Sequence, residues 1–165
     1  MITNYTDFIS LAEAKNYLRI DSGVTEDDAF ITSMITASLQ WIEQYTNHII
    51  VEREKEYFSD RDNTFCGENI FMVYDYPVES VVDPVDPLSI TTKRFNTKTR
   101  YTTKAESITL NLGYNDVSEV PEAFKQAAES ILQVWYYNSE KTINDTLIPT
   151  SVKFAVNPYR RFPLF

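Results

Sequence analysis

The stretch TEDDAFITSMITASLQWIEQYTN, residues 25–47, decides how this sequence folds. Its apolar residues recur at helical spacing. Ile31, Ile35, Ser38 and Ile42 form one stripe, and Phe30, Met34, Ala37, Trp41 and Tyr45 form a second beside it. Together they make an apolar arc wider than a surface helix of a small monomer needs. Either both sides are buried within the domain, or one side faces a neighbouring subunit through Phe30, Met34, Trp41 and Tyr45. Thr25 is placed to cap the helix. Glu26, Asp27 and Asp28 put negative charge in its first turn, where the helix dipole favours it. Capping accounts for these carboxylates, since the run lacks the alternating oxygen ligands and the glycine of a calcium loop.

Upstream, Ser10-Leu11-Ala12-Glu13 reads as a capping box. It opens a short helix with Leu11, Ala14 and Leu18 on one face, ending near Arg19 or Ile20 and broken by Asp21-Ser22-Gly23. Downstream, from Ile49 to about Tyr114, the period shifts toward two. Residues 49–51, 70–74, 78–85, 89–95 and 107–112 read as strands rich in β-branched and aromatic side chains. Turns are expected at 60–63, 84–87 and 96–100. Such short connections suit an antiparallel meander, because parallel crossovers need longer links. Helix returns at Pro121, with Phe124, Ala127, Ala128, Ile131, Leu132 and Trp135 on its apolar face, and fades at Tyr137-Asn138. A polar connection over 139–146 leads to a short helical segment starting at Pro149, with Val152, Ala155 and Val156, before Pro158 interrupts it.

The pattern predicts an α+β fold: antiparallel helices, two N-terminal with one long and one short C-terminal, and an inserted antiparallel sheet or meander. One domain is expected, with a helical core over 8–47 and 119–157, a β insertion over about 49–114, and a tail over 157–165. That tail, NPYRRFPLF, is aromatic, basic and broken by proline, so it is expected to dock on something rather than fold alone.

Composition narrows the chemistry. In 165 residues, 43% hydrophobic and 14% aromatic content place the chain among globular proteins. Three glycines speak against Gly-rich phosphate loops. The formal charge of −9 opposes tight wrapping of nucleic acid, yet allows a surface that DNA slides past. No run approaches a membrane span, and MITNYTDFIS lacks the charged and apolar regions of a signal peptide, so a soluble product of a cytoplasm is expected. His48 and Cys66 are the one imidazole and the one thiol, and nothing local activates the thiol. Glu79, Asp83 and Asp86 surround a Pro-rich turn and read as turn chemistry. There is no Walker loop, GxSxG or dinucleotide fingerprint. No enzyme, cofactor or metal is expected. Lys93, Arg94, Lys98, Arg100 and Lys104, interleaved with Phe95 and Tyr101, make a basic hairpin able to meet DNA or a protein partner.

Three ordered blocks resemble the head–tail connector family of tailed phages, in its longer branch with a β insertion. LAEAKNYLRID with TEDDAFITSMITASLQWIEQYTN resembles the family's opening through Leu11, Ala14, Lys15, Leu18, Arg19, Asp27, Asp28, Ile31, Ile35, Ala37, Ile42, Glu43, Tyr45 and Thr46. VPEAFKQAAESILQVWYYNSE is similar through Val120, Pro121, Gln126, Ala127, Tyr137, Asn138 and Glu140, and departs at Ser139, where the family often has Arg. IPTSVKFAVNPYRRF is similar through Pro149, Val152, Pro158, Tyr159 and Arg160. The resemblance implies a virion neck subunit that assembles into a ring of about a dozen copies beneath a portal protein. Such a ring extends the DNA channel without sequence-specific binding and meets a downstream neck or tail-completion protein. Pro158, Tyr159, Arg160, Arg161, Phe162 and Phe165 are then expected to dock on the portal or a neighbour. The rival reading is a nucleic-acid-binding packaging factor of the small-terminase kind, using the basic hairpin.

Overall fold

In the computed structural model, residues 2–59, 64, 65, 67–84, 90–138 and 148–161 are described. Cys66, Asp86, the 60–63 turn, most of the 84–87 turn, the 139–147 connection, Phe162 and Phe165 lie outside them. The order is helix α1 (Tyr5–Phe8), α2 (Leu11–Leu18), α3 (Asp28–Thr46), strands β1 (Arg53–Phe58), β2 (Thr64–Phe65), β3 (Glu68–Val73), β4 (Val78–Asp83), β5 (Thr91–Arg94), β6 (Thr99–Thr103), β7 (Ser107–Leu112), then α4 (Glu122–Tyr137) and α5 (Thr150–Val156). The α+β expectation holds.

The capping box at Ser10 is present in both directions. Ser10 Oγ accepts from the Glu13 N–H at 3.2 Å, and Glu13 Oε2 accepts from the Ser10 N–H at 2.9 Å. Glu13 Oε1 also meets Lys125 of α4 at 2.9 Å, so the cap ties two helices together. The Ser10 N–H bond, followed by Lys125, holds the Glu13 carboxyl down at about 2. Ser10→Ala is expected to cost about 1 kcal/mol, read as a lower urea midpoint with unchanged slope.

Helix α3 starts later than its acidic run suggests. Asp28 is its first residue, Asp27 sits at the N-cap position, and Glu26 lies outside. The cause is Lys15 on α2, which is 5% exposed. Its ammonium pairs with Asp28 and donates to the Val24 carbonyl at 2.7 Å, fixing the entry loop before the helix begins. Thr25 closes that loop as a turn, its carbonyl accepting from the Asp28 N–H at 3.3 Å. Once begun, α3 buries Ile31, Met34, Ile35, Ser38, Leu39 and Ile42. Helices α1, α2 and α4 all pack on it, so much of the wide apolar arc is satisfied inside the chain. Helix α4 runs antiparallel to α3, and each predicted residue of its apolar face is buried. Pro121 stands at the N-cap of α4 rather than at its first helical position, and Ala155 on α5 is exposed while Val152 and Val156 are buried. The four-residue α1, with the Asn4 N–H on Asp7 Oδ2 at 2.9 Å, had no counterpart in the apolar pattern.

The β insertion is antiparallel throughout its ladders but divides into two sheets, ordered β1-β7-β4 and β2-β3-β6-β5. A simple meander does not describe it, since β7 returns to lie between β1 and β4. Strand β7 matches its expected span and alternates burial, Ile108, Leu110 and Leu112 pointing inward. Residues 49–51 belong to no ladder strand, while β1, with sequence REKEYF, lies where no strand was expected. The sheets share a core of Ile49, Phe71, Val73, Tyr101, Ile108, Leu110 and Leu112. The helical core is separate, and Ile50 and Tyr114 join it from the ends of the insertion.

Candidate functional site: a cationic cleft at the helix–sheet junction

The two halves meet where α3 ends. Asn47 caps α3 with a left-handed φ of 57°, turning the chain so that His48 bridges Tyr76. His48 is buried, with Nδ1 2.6 Å from the Tyr114 hydroxyl and its ring edge-on to Tyr76 and Phe124. Burial, then the neighbouring Arg161 charge, pushes the imidazole down to about 4.

The C-terminal segment closes this junction. After α5 a single 3₁₀ turn, Asn157–Tyr159, presents Arg160 and Arg161 to the end of α3. Arg160 Nε donates to the Tyr45 carbonyl at 2.9 Å, and its guanidinium lies 4.1 Å from the Tyr45 ring centroid. The Arg161 N–H donates to the Thr46 carbonyl at 3.0 Å, and the Asn47 side chain donates to the Arg161 carbonyl at 2.5 Å. Arg161 Nε reaches the Thr97 carbonyl at 3.1 Å, in the turn between β5 and β6. Arg160 and Arg161, expected to dock on the portal or a neighbour, are held here by their own chain. Between tail and turn lies a cleft of about 550 Å³, lined by Tyr76, Arg94, Phe95, Tyr101, Tyr159 and Arg161 among others.

The other predicted residues distribute unevenly. Of the four set against a neighbour, Met34 is 4% exposed and belongs to the chain's own core, because it lies within the arc that the packed helices cover. Trp41 and Tyr45 are half-buried and stacked at 4.9 Å, and Phe30 is exposed. The basic hairpin does not form one cationic face. Lys93 and Lys98 sit over the Phe95 ring and Arg94 lines the cleft. Arg100 lines a second groove with Glu68, Ile70, Thr91 and Thr102, and Lys104 lies beyond the far end of β6. Strand alternation separates Arg94 from Lys93 and Arg100, which lie directly opposite each other across β5 and β6. Among the described residues no group of three or more His, Cys, Asp and Glu is placed to hold a metal ion. Nor is any described helix long and apolar enough to cross a membrane.

Sequence reasoning missed Glu43, Asn47 and Thr97 as parts of this junction. Tyr45 of the first resemblance block holds Arg160 of the third, and Lys15 pairs with Asp28 inside the first. The blocks thus mark residues that fasten one another. Residues 8–66 match the family model described as phage gp6-like head-tail connector protein. The resemblance read from the residues holds over that stretch.

A likeness in fold to solved structures extends over nearly the whole chain. A chain from the neck of an empty gene transfer agent (GTA) particle, computed with C6 symmetry, superposes with a TM-score of 0.72 at 15% identity, covering 96% of this chain and 92% of that one. A chain from the virion of a native GTA particle gives 0.72 at 16%, covering 100% and 95%. A chain from the neck of a native GTA particle, computed with C12 symmetry, gives 0.68 at 15%, covering 96% and 92%. At these identities the likeness is one of fold. No curated protein matches the sequence.

His48 makes the junction sensitive to acid. In the unfolded chain the imidazole takes a proton near pH 6.5, whereas in the fold it stays neutral down to about 4. Between those values the unfolded state binds more protons, so stability falls as pH falls. The full loss is about 3 kcal/mol, and near pH 5.5 about 1.4 kcal/mol is expected relative to pH 7.5. Urea unfolding at the two pH values checks this, and His48→Phe should remove most of the difference.

Proposed function

We propose that this chain is a structural head–tail connector, or adaptor, of a tailed-phage-like virion. It forms a ring beneath the portal, extends the DNA channel and joins the head to the neck and tail. The observation that carries this reading is the fold match to GTA neck chains over 96% of this chain and 92% of theirs. The connector family match over 8–66 supports it independently through sequence. A copy number of about twelve accords with a neck computed with C12 symmetry. The partners are then other copies of the chain, the portal and a downstream neck or tail-completion protein, and the site of action is the virion neck. The net charge of −9 suits a channel wall that DNA passes without adhering. Of the α3 side chains proposed for a neighbour, Phe30 is exposed and Trp41 and Tyr45 are half-buried, with Phe154 on α5 at 73% exposure as a further contact. Of the described tail residues, Pro158 and Tyr159 are exposed and offered to the portal or a neighbour, Arg160 and Arg161 being engaged at home; Phe162 and Phe165, outside the described residues, are proposed for the same contact.

Negative-stain imaging of the chain mixed with the portal of its own particle tests this. A collar added beneath the portal is expected. No association, together with salt-dependent retention of DNA, would favour the packaging-factor reading instead.

A further inference from the structure

Arg161 is a cation taken largely out of water with no ion pair among the described residues. It is 9% exposed, its guanidinium lies 4.7 Å from the Tyr76 ring centroid, and Nε is held by the Thr97 carbonyl. The ion pairs among the described residues are Lys15–Asp28, Arg53–Glu43, Lys55–Asp75 and Lys125–Glu13, and none includes Arg161 or Arg94. A buried guanidinium without a directly paired carboxylate is costly; burial pulls its pKa down against the opposing influence of Tyr76, Tyr114 and Asp75, while leaving it charged at neutral pH. Both arginines line the cleft, whose walls are Tyr76, Tyr101 and Tyr159. The site is built for a carboxylate presented on a narrow segment.

The same chain offers such a segment. Asp21, Glu26, Asp27 and Asp28 fall within eight residues, and of these Asp28 alone is in an ion pair among the described residues. Residues 21–26 are exposed, Val24 at 40%. This loop enters α3, whereas the cleft lies at the end of α3. A 19-residue helix is about 28 Å long, so one copy's loop cannot reach its own cleft.

We propose that the cleft of one copy receives the Asp21–Asp27 loop of a second, with Glu26 placed on Arg94 and Arg161. This rests on the ring reading above. Two different faces meeting head to tail is the contact that generates a ring where the rotation closes. A DNA phosphate is the rival occupant. It is disfavoured by the concave aromatic walls, by the dispersal of Arg100 and Lys104 to other faces, and by the net charge of −9.

The test mixes ¹⁵N-labelled and unlabelled full chain at low salt and couples carboxylates to lysines with a zero-length carbodiimide. Expected are mixed-isotope links from Asp21, Glu26 or Asp27 to Lys93 or Lys98, the lysines beside Phe95 at the cleft rim. Arg94→Glu should reduce their yield by about tenfold, and mixing it with a Glu26→Arg chain should restore association, read by sedimentation velocity. Mixed links that join other faces, an absence of mixed links, or an unaffected Arg94→Glu variant would each overturn the assignment. So would a single-stranded oligonucleotide retained by the wild type and lost from Arg94→Glu, which would make the cleft a phosphate site. A collar on the portal with links elsewhere sinks the cleft assignment while leaving the ring intact, so the two failures are distinguishable.

Discussion

Glu43→Ala is expected to destabilise the chain by about 3–5 kcal/mol, read from urea unfolding at pH 7.5. Glu43 is 5% exposed near the end of α3, and each of its oxygens is used. Oε1 accepts from the backbone N–H of Ile50 at 2.5 Å and of Val51 at 3.3 Å. Oε2 accepts from the Tyr5 hydroxyl at 2.8 Å and pairs with Arg53. One carboxylate thus joins α1, α3 and the segment that leads into β1. Alanine would leave two backbone donors without this acceptor in a buried place and strip Arg53 of its partner. Burial, then Glu43 itself, pushes the Tyr5 hydroxyl up to about 12, so it remains a donor through neutral pH. Glu43→Gln keeps the Oε1 acceptor but sets an amide against Arg53, and should cost about half as much. Arg53→Ala should cost about 1 kcal/mol, because the Arg53 side chain is 42% exposed and water replaces much of its role. A Glu43→Ala loss under 1 kcal/mol would show that the carboxylate is not the joint.

Glu43 also shows where reading the sequence stops. Its place in the Ile-Glu-x-Tyr-Thr pattern was visible, but a glutamate near a helix end reads as solvated until its oxygens are found on Ile50 and Val51. The helices were legible because their apolar faces have a period that burial enforces, and Phe124 to Trp135 of α4 are buried as spaced. The capping box at Ser10 was legible because it is local. Strand β1 was not, since Arg53, Glu54, Lys55 and Glu56 are poor strand formers that suit a solvated edge, and their pairing with β7 is set about fifty residues away. The same distance problem hid the cleft. Arg160 and Arg161 read as a loose basic tail, while their partners Tyr45, Thr46 and Thr97 lie in other blocks. The acidic start of α3 misled for a different reason: the Asp28 carboxylate serves Lys15, and a tertiary ion pair moved the helix boundary.

Gly113→Ala is expected to cost about 3 kcal/mol or more, from two causes acting together. Gly113 follows β7 with φ of +129°, a conformation that side chains other than glycine rarely adopt. An added Cβ would also lie 2.7 Å from Cα and 2.9 Å from N of Glu52, both backbone atoms that no rotamer change can move. The Gly113 N–H donates to the Pro77 carbonyl at 3.2 Å, so the residue is pinned on a second side. Relief must come from shifting the chain at Glu52 or at Tyr114, and Tyr114 holds His48 at 2.6 Å. The variant should therefore lose stability and also loosen the junction, weakening the fall in stability between pH 7.5 and 5.5 that the buried imidazole produces. Gly67 supplies the contrast. It too has a positive φ, 79°, but an added Cβ there meets nothing within 4 Å, so Gly67→Ala should cost only the backbone part, about 1 kcal/mol, with the pH dependence unchanged. If both substitutions cost the same, close approach to Glu52 is not what requires glycine at 113, and the helix–sheet junction tolerates a wider gap than the structure implies.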